Sequence, residues 1–169
     1  MNQSPNDVKL ILLDVDGVLT TGEIILGQND EFKAFNVQDG LGITLARRAG
    51  LQVGIITGRT SASVSRRAAE LKLDFLVQGA FDKLPELEKI LKSTGINSQE
   101  VCYMGDDLLD LPIFSAVGFP TAPSDARPEV LQAATWVSEA VGGKGAVREL
   151  IEYILKTRGL WQQTLEELI

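Results

Sequence analysis

At 169 residues, 44% hydrophobic and 23% charged, the chain has the size of one globular domain with an adequate core and is unlike a disordered, collagenous or coiled-coil sequence. Sixteen Lys plus Arg against 23 Asp plus Glu give a formal charge of -7, which disfavours a sequence-independent grip on nucleic acid or on anionic lipid. There is no histidine, so a Ser-His-Asp triad, a phosphohistidine, His-ligated zinc and haem drop out, and catalysis must use carboxylates, amines or hydroxyls.

The first residues, MNQSPNDVK, lack the basic start of a leader, and no stretch approaches the ~20 apolar residues that span a bilayer. The single cysteine, Cys102, can form neither an intramolecular disulfide nor a cysteine zinc site. Leu108 stands where a C-x5-R phosphatase loop needs arginine. The expectation is a cytoplasmic protein in a reducing compartment, with Cys102 buried in a strand and neither nucleic acid nor membrane as a partner.

In chain order, VKLILLDV (8–15) is the first expected strand. Residues 22–37, GEIILGQNDEFKAFNV, read as a hairpin around a Gly-Gln-Asn-Asp turn, too short to be a cap domain. A helical pattern follows at 40–50, then strand 51–58, helix 61–72, strand 74–79 and helix 83–95. Strand 101–106, a weaker strand at 116–121, strand 135–138 and helix 145–159 complete the series. Past Gly159, a segment bearing Leu160, Trp161, Leu165, Leu168 and Ile169 reads as an amphipathic turn that needs a surface to pack on. The strands are apolar runs without clean alternation, as expected of strands buried on both faces, and their alternation with helices predicts an α/β doubly wound parallel sheet. With no repeat or linker, residues 1–169 read as one domain.

The strongest chemical signal is Asp14-Val15-Asp16-Gly17-Val18-Leu19-Thr20 after LILL. Two carboxylates at i and i+2 at the end of a buried strand are costly to desolvate unless a cation or reacting group compensates them. If the chain leaves the strand between them, Asp14 can face a metal and an electrophile while Asp16 reaches the leaving-group oxygen, and Gly17 allows the loop conformation. The competing reading is an ordinary Asp-x-Asp-Gly turn. Strand 51–58 closes on Ile56-Thr57-Gly58-Arg59, a hydroxyl, a close-approach residue and a guanidinium that could hold phosphate, although a plain helix cap fits as well. Strand 101–106 closes on Gly105-Asp106-Asp107-Leu108-Leu109-Asp110, which also suits an acidic helix N-terminus.

All three motifs fall at carboxyl ends of strands, where open parallel sheets bind ligands. Asp14, Asp16 and Asp106 offer hard oxygen ligands that suit Mg²⁺. Lys83 opens a helix, the wrong end for a cation, so something anionic should lie nearby. Arg59 and Arg67, eight apart, are expected on one face of one helical segment, where two guanidiniums would suit two anionic ends of a substrate. Asp39-Gly40 reads equally as a helix start or a substrate-loop element, and the glycines at 142, 143 and 145 as a strand-to-helix turn or a mobile loop near the substrate.

These motifs, DVDGVLT (14–20), ITGR (56–59), Lys83 and GDDLLD (105–110), resemble in order those of the haloacid dehalogenase superfamily of aspartate-nucleophile phosphatases. The resemblance implies that Asp14 forms an aspartyl-phosphate, Asp16 is acid and then base, and Thr57 and Lys83 bind the transferring phosphoryl. It also implies Mg²⁺ on Asp14, the Asp16 backbone carbonyl and Asp106, with Asp107 and Asp110 in support. The short hairpin, FNVQDGLGI (35–43), ITGR followed by Arg67, and GGKGAVREL (142–150) resemble the capless family acting on 3-deoxy-D-manno-octulosonate 8-phosphate, a phosphorylated sugar acid. That closer resemblance adds Arg67, so that with the strand-end reading and the superfamily resemblance the expected substrate contacts are Thr57, Gly58, Arg59, Arg67 and Lys83. It further implies a homotetramer assembled through the hairpins, in which a neighbouring subunit covers each site. The alternatives are a family acting on the nine-carbon 2-keto-3-deoxynononate 9-phosphate, and a weakly active scaffolding domain associated with a sugar-nucleotide transferase. A phosphoaspartate receiver domain is excluded by position, since its acceptor closes the third strand and the paired carboxylates here close the first.

Overall fold

The computed structural model describes residues 4–28 and 31–167. Its centre is β1 (Leu10–Leu13), four apolar residues that are all fully buried. Each such side chain contributes ~1.5–3 kcal/mol relative to exposure. Beside β1 lie β4 (Gln52–Ile56) and β6 (Val101–Met104), both parallel to it, with Leu13 opposite Ile55 on one side and Met104 on the other. Outward run β5 (Phe75–Val77) on one edge and β7 (Phe119–Ala122) and β8 (Trp136–Val137) on the other, giving the order β5-β4-β1-β6-β7-β8.

Alternate side chains of the strands feed two separate cores. Ile11 and Leu13 meet α1 (Val37–Arg48), α2 (Ala62–Glu70) and α6 (Ala146–Thr157) on one face. Leu10 and Leu12 meet α3 (Leu84–Thr94), α4 (Leu111–Phe114) and α5 (Pro128–Ala133) on the other. The expected doubly wound parallel sheet is therefore present. The chain steps from β1 outward to β5 and then returns past β1 to β6, so the switch point lies between β1 and β6, where the motifs converge.

The segment between β1 and α1 holds, among the described residues, only the ribbon of β2 (Ile25–Leu26) and β3 (Glu31–Phe32), antiparallel with Ile25 opposite Phe32. This is shorter than the hairpin expected over 22–37, and Asn29 and Asp30 of its turn lie outside the described residues. Pairing stops at Phe32, and α1 starts earlier than expected. Asn36 caps it, its side chain accepting from the Gln38 and Asp39 amides, so the helix begins at Val37 rather than at 40. Helices α4 and α5, of four and six residues, were not expected; they are too short to display a 3.6-residue period.

The C-terminal segment forms α7 (Trp161–Glu166), and the surface it needed is supplied by this chain. Trp161 packs against the α1/α6 core and beneath the cations of Arg148 and Lys156, 5.7 and 5.1 Å from its ring centroid. Leu168 and Ile169 lie outside the described residues.

Candidate active site

The Asp14 amide continues the ladder by donating to Met104 O (3.0 Å), so its side chain is held at the rim of β1. The amides of Val18, Leu19 and Thr20 then all donate to Val15 O, closing a tight turn in which Gly17 takes φ +89°. That turn separates the two carboxylates. Asp14 Oδ1 accepts from the Val15 amide (2.7 Å) and Oδ2 pairs with Lys83 Nζ (2.9 Å), whereas Asp16 turns toward the ribbon.

Lys83 precedes α3 and makes no cap, so its side chain runs inward and is buried. Its ammonium donates to Asp110 Oδ1 (2.7 Å) and to the Tyr103 hydroxyl (3.1 Å) as well as pairing with Asp14. The anionic neighbours expected of a cation at a helix start are thus present. Burial alone would lower the Lys83 pKa; Asp14 and Asp110 outweigh it and raise it.

Asp110 is saturated, since Oδ1 also accepts from Tyr103 (2.6 Å) and Oδ2 from the amides of Asp106 and Asp107 (3.0 and 3.2 Å). Asp107 is exposed and caps the turn 108–110 through the Leu108 amide. Asp106 differs from both: its Oδ1 is buried with no partner. Burial, followed by repulsion from Asp14 and Asp110, pushes its carboxyl up to about 8. Burial likewise carries Asp14 to about 6, against the pull of Lys83.

Asp14, Asp106 and Asp110 each bring a carboxylate oxygen within 4.8 Å of the others. An orphaned buried oxygen beside two further carboxylates is what a hard divalent cation would satisfy, so the residues fit such an ion. Asp110 takes two protein donors on each oxygen, whereas each Asp14 oxygen takes one and Asp106 Oδ1 none, so Asp14 and Asp106 keep side-chain lone pairs for a cation.

Thr57 ends β4, buried, with its amide on Val77 O (3.0 Å) and its hydroxyl 3.5 Å from the Arg59 amide. Gly58 and Arg59 follow in the connecting loop, before α2 begins at Ala62. This corrects the expectation that Arg59 and Arg67 share a helix face. Arg59 is exposed and reaches Glu31 (2.7 Å) and Asp16 (3.9 Å). Arg67 lies on α2, bonded to Glu70 (2.9 Å), above the Phe35 ring and against Gly40, where a Cβ would meet its guanidinium. A groove of about 660 Å³ opens between the ribbon and the start of α2, beside the carboxylates rather than over them. A second, of about 370 Å³, is lined by Lys33, Phe35 and Arg67.

Sequence reasoning missed Lys33, Glu31 and Tyr103. The Lys33 ammonium donates to Asp16 Oδ1 and lies 3.6 Å from Glu31, and its side chain has no exposed area. The alternation Glu31-Phe32-Lys33-Ala34-Phe35 held that signal, since exposed Phe32 and Ala34 leave Lys33 facing the body. The two ambiguous glycine segments also resolve. Asp39 Oδ1 accepts from the Arg148 amide (2.8 Å), so this buried carboxylate joins α1 to the start of α6. Gly142 and Gly143 brace the Asp16-Gly17 loop: Gly143 donates to Val18 O (2.8 Å), Gly142 to Asp125 Oδ1 (2.9 Å), and a Cβ on Gly142 would collide with Gly17 O.

Paired carboxylates, a buried lysine and a hydroxyl at the carboxyl ends of the central strands are the arrangement expected of a haloacid dehalogenase-like hydrolase. Residues 75–150 match the family of haloacid dehalogenase-like hydrolases. The chain is 42% identical over 154 residues to 3-deoxy-D-manno-octulosonate 8-phosphate phosphatase KdsC of Escherichia coli (strain K12), covering 90% of this chain and 82% of that one. Two solved structures are similar. The 3-deoxy-D-manno-octulosonate 8-phosphate phosphatase from Moraxella catarrhalis, in complex with magnesium, phosphate and KDO, superposes with a TM-score of 0.94 at 38% identity, over 98% of this chain and 95% of that one. The corresponding phosphatase from Yersinia pestis gives 0.92 at 38% identity, over 94% and 86%. The chain belongs to the 3-deoxy-D-manno-octulosonate 8-phosphate phosphatase family of the haloacid dehalogenase-like hydrolases.

Proposed function

We propose that this chain is a Mg²⁺-dependent phosphatase that hydrolyses 3-deoxy-D-manno-octulosonate 8-phosphate to the sugar acid and phosphate, in lipopolysaccharide precursor synthesis. The observation that carries the reading is the Asp14–Lys83 pair at 2.9 Å beside the orphaned oxygen of Asp106. In the first step an Asp14 carboxylate oxygen bonds to phosphorus, the bond from phosphorus to the sugar oxygen breaks, and that oxygen takes a proton from Asp16. In the second, water attacks the aspartyl-phosphate, gives its proton to Asp16, and releases phosphate from Asp14. Lys83 neutralises Asp14 and a phosphoryl oxygen, while Thr57 and Gly58 hold the phosphoryl group from β4. Asp14, the Asp16 backbone carbonyl and Asp106 would hold Mg²⁺, which supplies charge neutralisation during phosphoryl transfer. Asp110 fixes Lys83 and the Asp106 backbone, and Asp107 shapes the turn between them.

Arg59, exposed beside Asp16, receives an anionic end of the sugar acid; Arg67 is assigned as a substrate contact on the family resemblance. Residues 1–169 act as one catalytic domain in a cytoplasmic homotetramer, whose neighbouring subunits cover sites that carry no cap of their own. In support of the location, no helix among the described residues is long and apolar enough to cross a membrane. Phosphate release from 3-deoxy-D-manno-octulosonate 8-phosphate, 2-keto-3-deoxynononate 9-phosphate and common sugar phosphates, with Mg²⁺, tests the assignment. A clear preference for the eight-carbon acid is expected, and preference for any other substrate overturns it.

A further inference from the structure

We propose that Lys33 is a positioning residue for Asp16, which makes the ribbon part of the catalytic apparatus as well as an element of assembly. The proposal rests on the reading of Asp16 as acid and base. A buried ammonium is costly unless paired, and Lys33 is paired with two carboxylates, Asp16 and Glu31. Asp16 itself stands apart from the group formed by Asp14, Asp106 and Asp110, with its carboxylate drawn toward the ribbon.

The anchoring is asymmetric. Lys33 holds Oδ1, while the exposed Arg59, itself tied to Glu31, comes no closer than 3.9 Å to Asp16 and does so at Oδ2. Oδ2 is therefore the oxygen free to give and take a proton. An ammonium donates to Oδ1 whether or not Oδ2 is protonated, so one anchor serves both halves of the reaction. Without it, Asp16 can rotate about χ1 and χ2 on a half-exposed loop, and a misplacement of about 1 Å in a proton donor costs on the order of 10²-fold in rate.

The chemistry supplies a test that a merely structural lysine would not pass. When phosphorus passes to Asp14, a sugar alkoxide must be protonated as it leaves, whereas p-nitrophenolate leaves as the anion. Rapid mixing with Mg²⁺ should follow the first equivalent of product from 3-deoxy-D-manno-octulosonate 8-phosphate and from p-nitrophenyl phosphate, in the intact protein and in Lys33→Met. Sedimentation of the same samples reports assembly. The substitution should slow the first release of sugar acid by on the order of 10²-fold, and that of p-nitrophenolate by at least about tenfold less. Lys33→Gln, which keeps a hydrogen-bond donor, should recover part of the sugar-acid rate and provides the measurement should Lys33→Met not fold. Equal losses on both substrates, or no loss on either, would overturn the proposal. If the unsubstituted protein ignores the sugar-acid phosphate, the substrate reading fails instead; glycerol 3-phosphate, another alkyl monoester, then serves in the same comparison.

Discussion

Gly17 and Asp106 approach so closely that a Cβ on the glycine would sit 2.0 Å from Asp106 Oδ2. The glycine is also at φ +89°, where a side chain costs ~1–3 kcal/mol in backbone strain. Gly17→Ala must therefore either distort the Asp16 loop or displace the one carboxylate of the cluster that keeps an unpaired buried oxygen. Activity should fall on the order of tenfold or more, with a lowered melting temperature. Steady-state assay beside a thermal melt decides this, and an alanine variant with ordinary turnover would show that the close approach is irrelevant.

What the sequence made legible follows from what is local. Buried parallel strands are apolar runs, so β1, β4 and β6 can be read from composition alone, as can β5, an apolar run that lies half-exposed at the sheet edge, and residues past the carboxyl ends of these strands are brought together by topology. Asp14, Thr57, Lys83 and Asp106 were legible for that reason. Contacts made across the fold were not. Nothing near Lys33 in sequence announces Asp16, and the Tyr103 hydroxyl meets Asp110 and Lys83 only because β6 turns that side chain to the α3 face. The Arg59–Arg67 expectation failed because the loop from Gly58 to Ser61 ends before the helix begins, so counting residues along a helix did not apply.

Asp14→Asn should lower turnover by at least about 10³-fold, because the amide keeps the shape but lacks the anionic oxygen that attacks phosphorus. Circular dichroism should remain that of the parent. Full activity in this variant would remove Asp14 as the nucleophile.

The carboxylate cluster also sets a pH dependence for the metal-free protein. Asp106 is held up at about 8 and Asp14 at about 6, above the ordinary value of 3.8. Between roughly pH 4 and 8 the folded protein therefore holds more protons at these sites than the unfolded chain, and their contribution makes stability fall as pH rises. A cation binds the deprotonated carboxylates, so the gain in melting temperature on adding Mg²⁺ should be larger near pH 8 than near pH 5. Chelation should abolish turnover and Mg²⁺ restore it. Melts with chelator or Mg²⁺ across this range test the linkage; a metal-induced gain that shrinks as pH rises would contradict it.

The ribbon carries the last expectation. Ile25, Leu26 and Phe32 are 54%, 80% and 59% exposed, on two strands of two residues each. A two-stranded ribbon is marginal by itself, and apolar side chains standing in water at its edge favour burial against another surface. While Phe32 faces solvent, the next residue, Lys33, reaches back to Asp16, so whatever covers the ribbon also constrains the catalytic loop. Ribbons from neighbouring subunits would supply that cover; the number four comes from the family resemblance. Sedimentation should show a tetramer. Ile25→Asp combined with Phe32→Glu should dissociate it and lower activity on sugar-acid and aryl phosphates together, unlike Lys33→Met, which should separate the two. A fully active monomer at assay concentration would refute assembly through the ribbon.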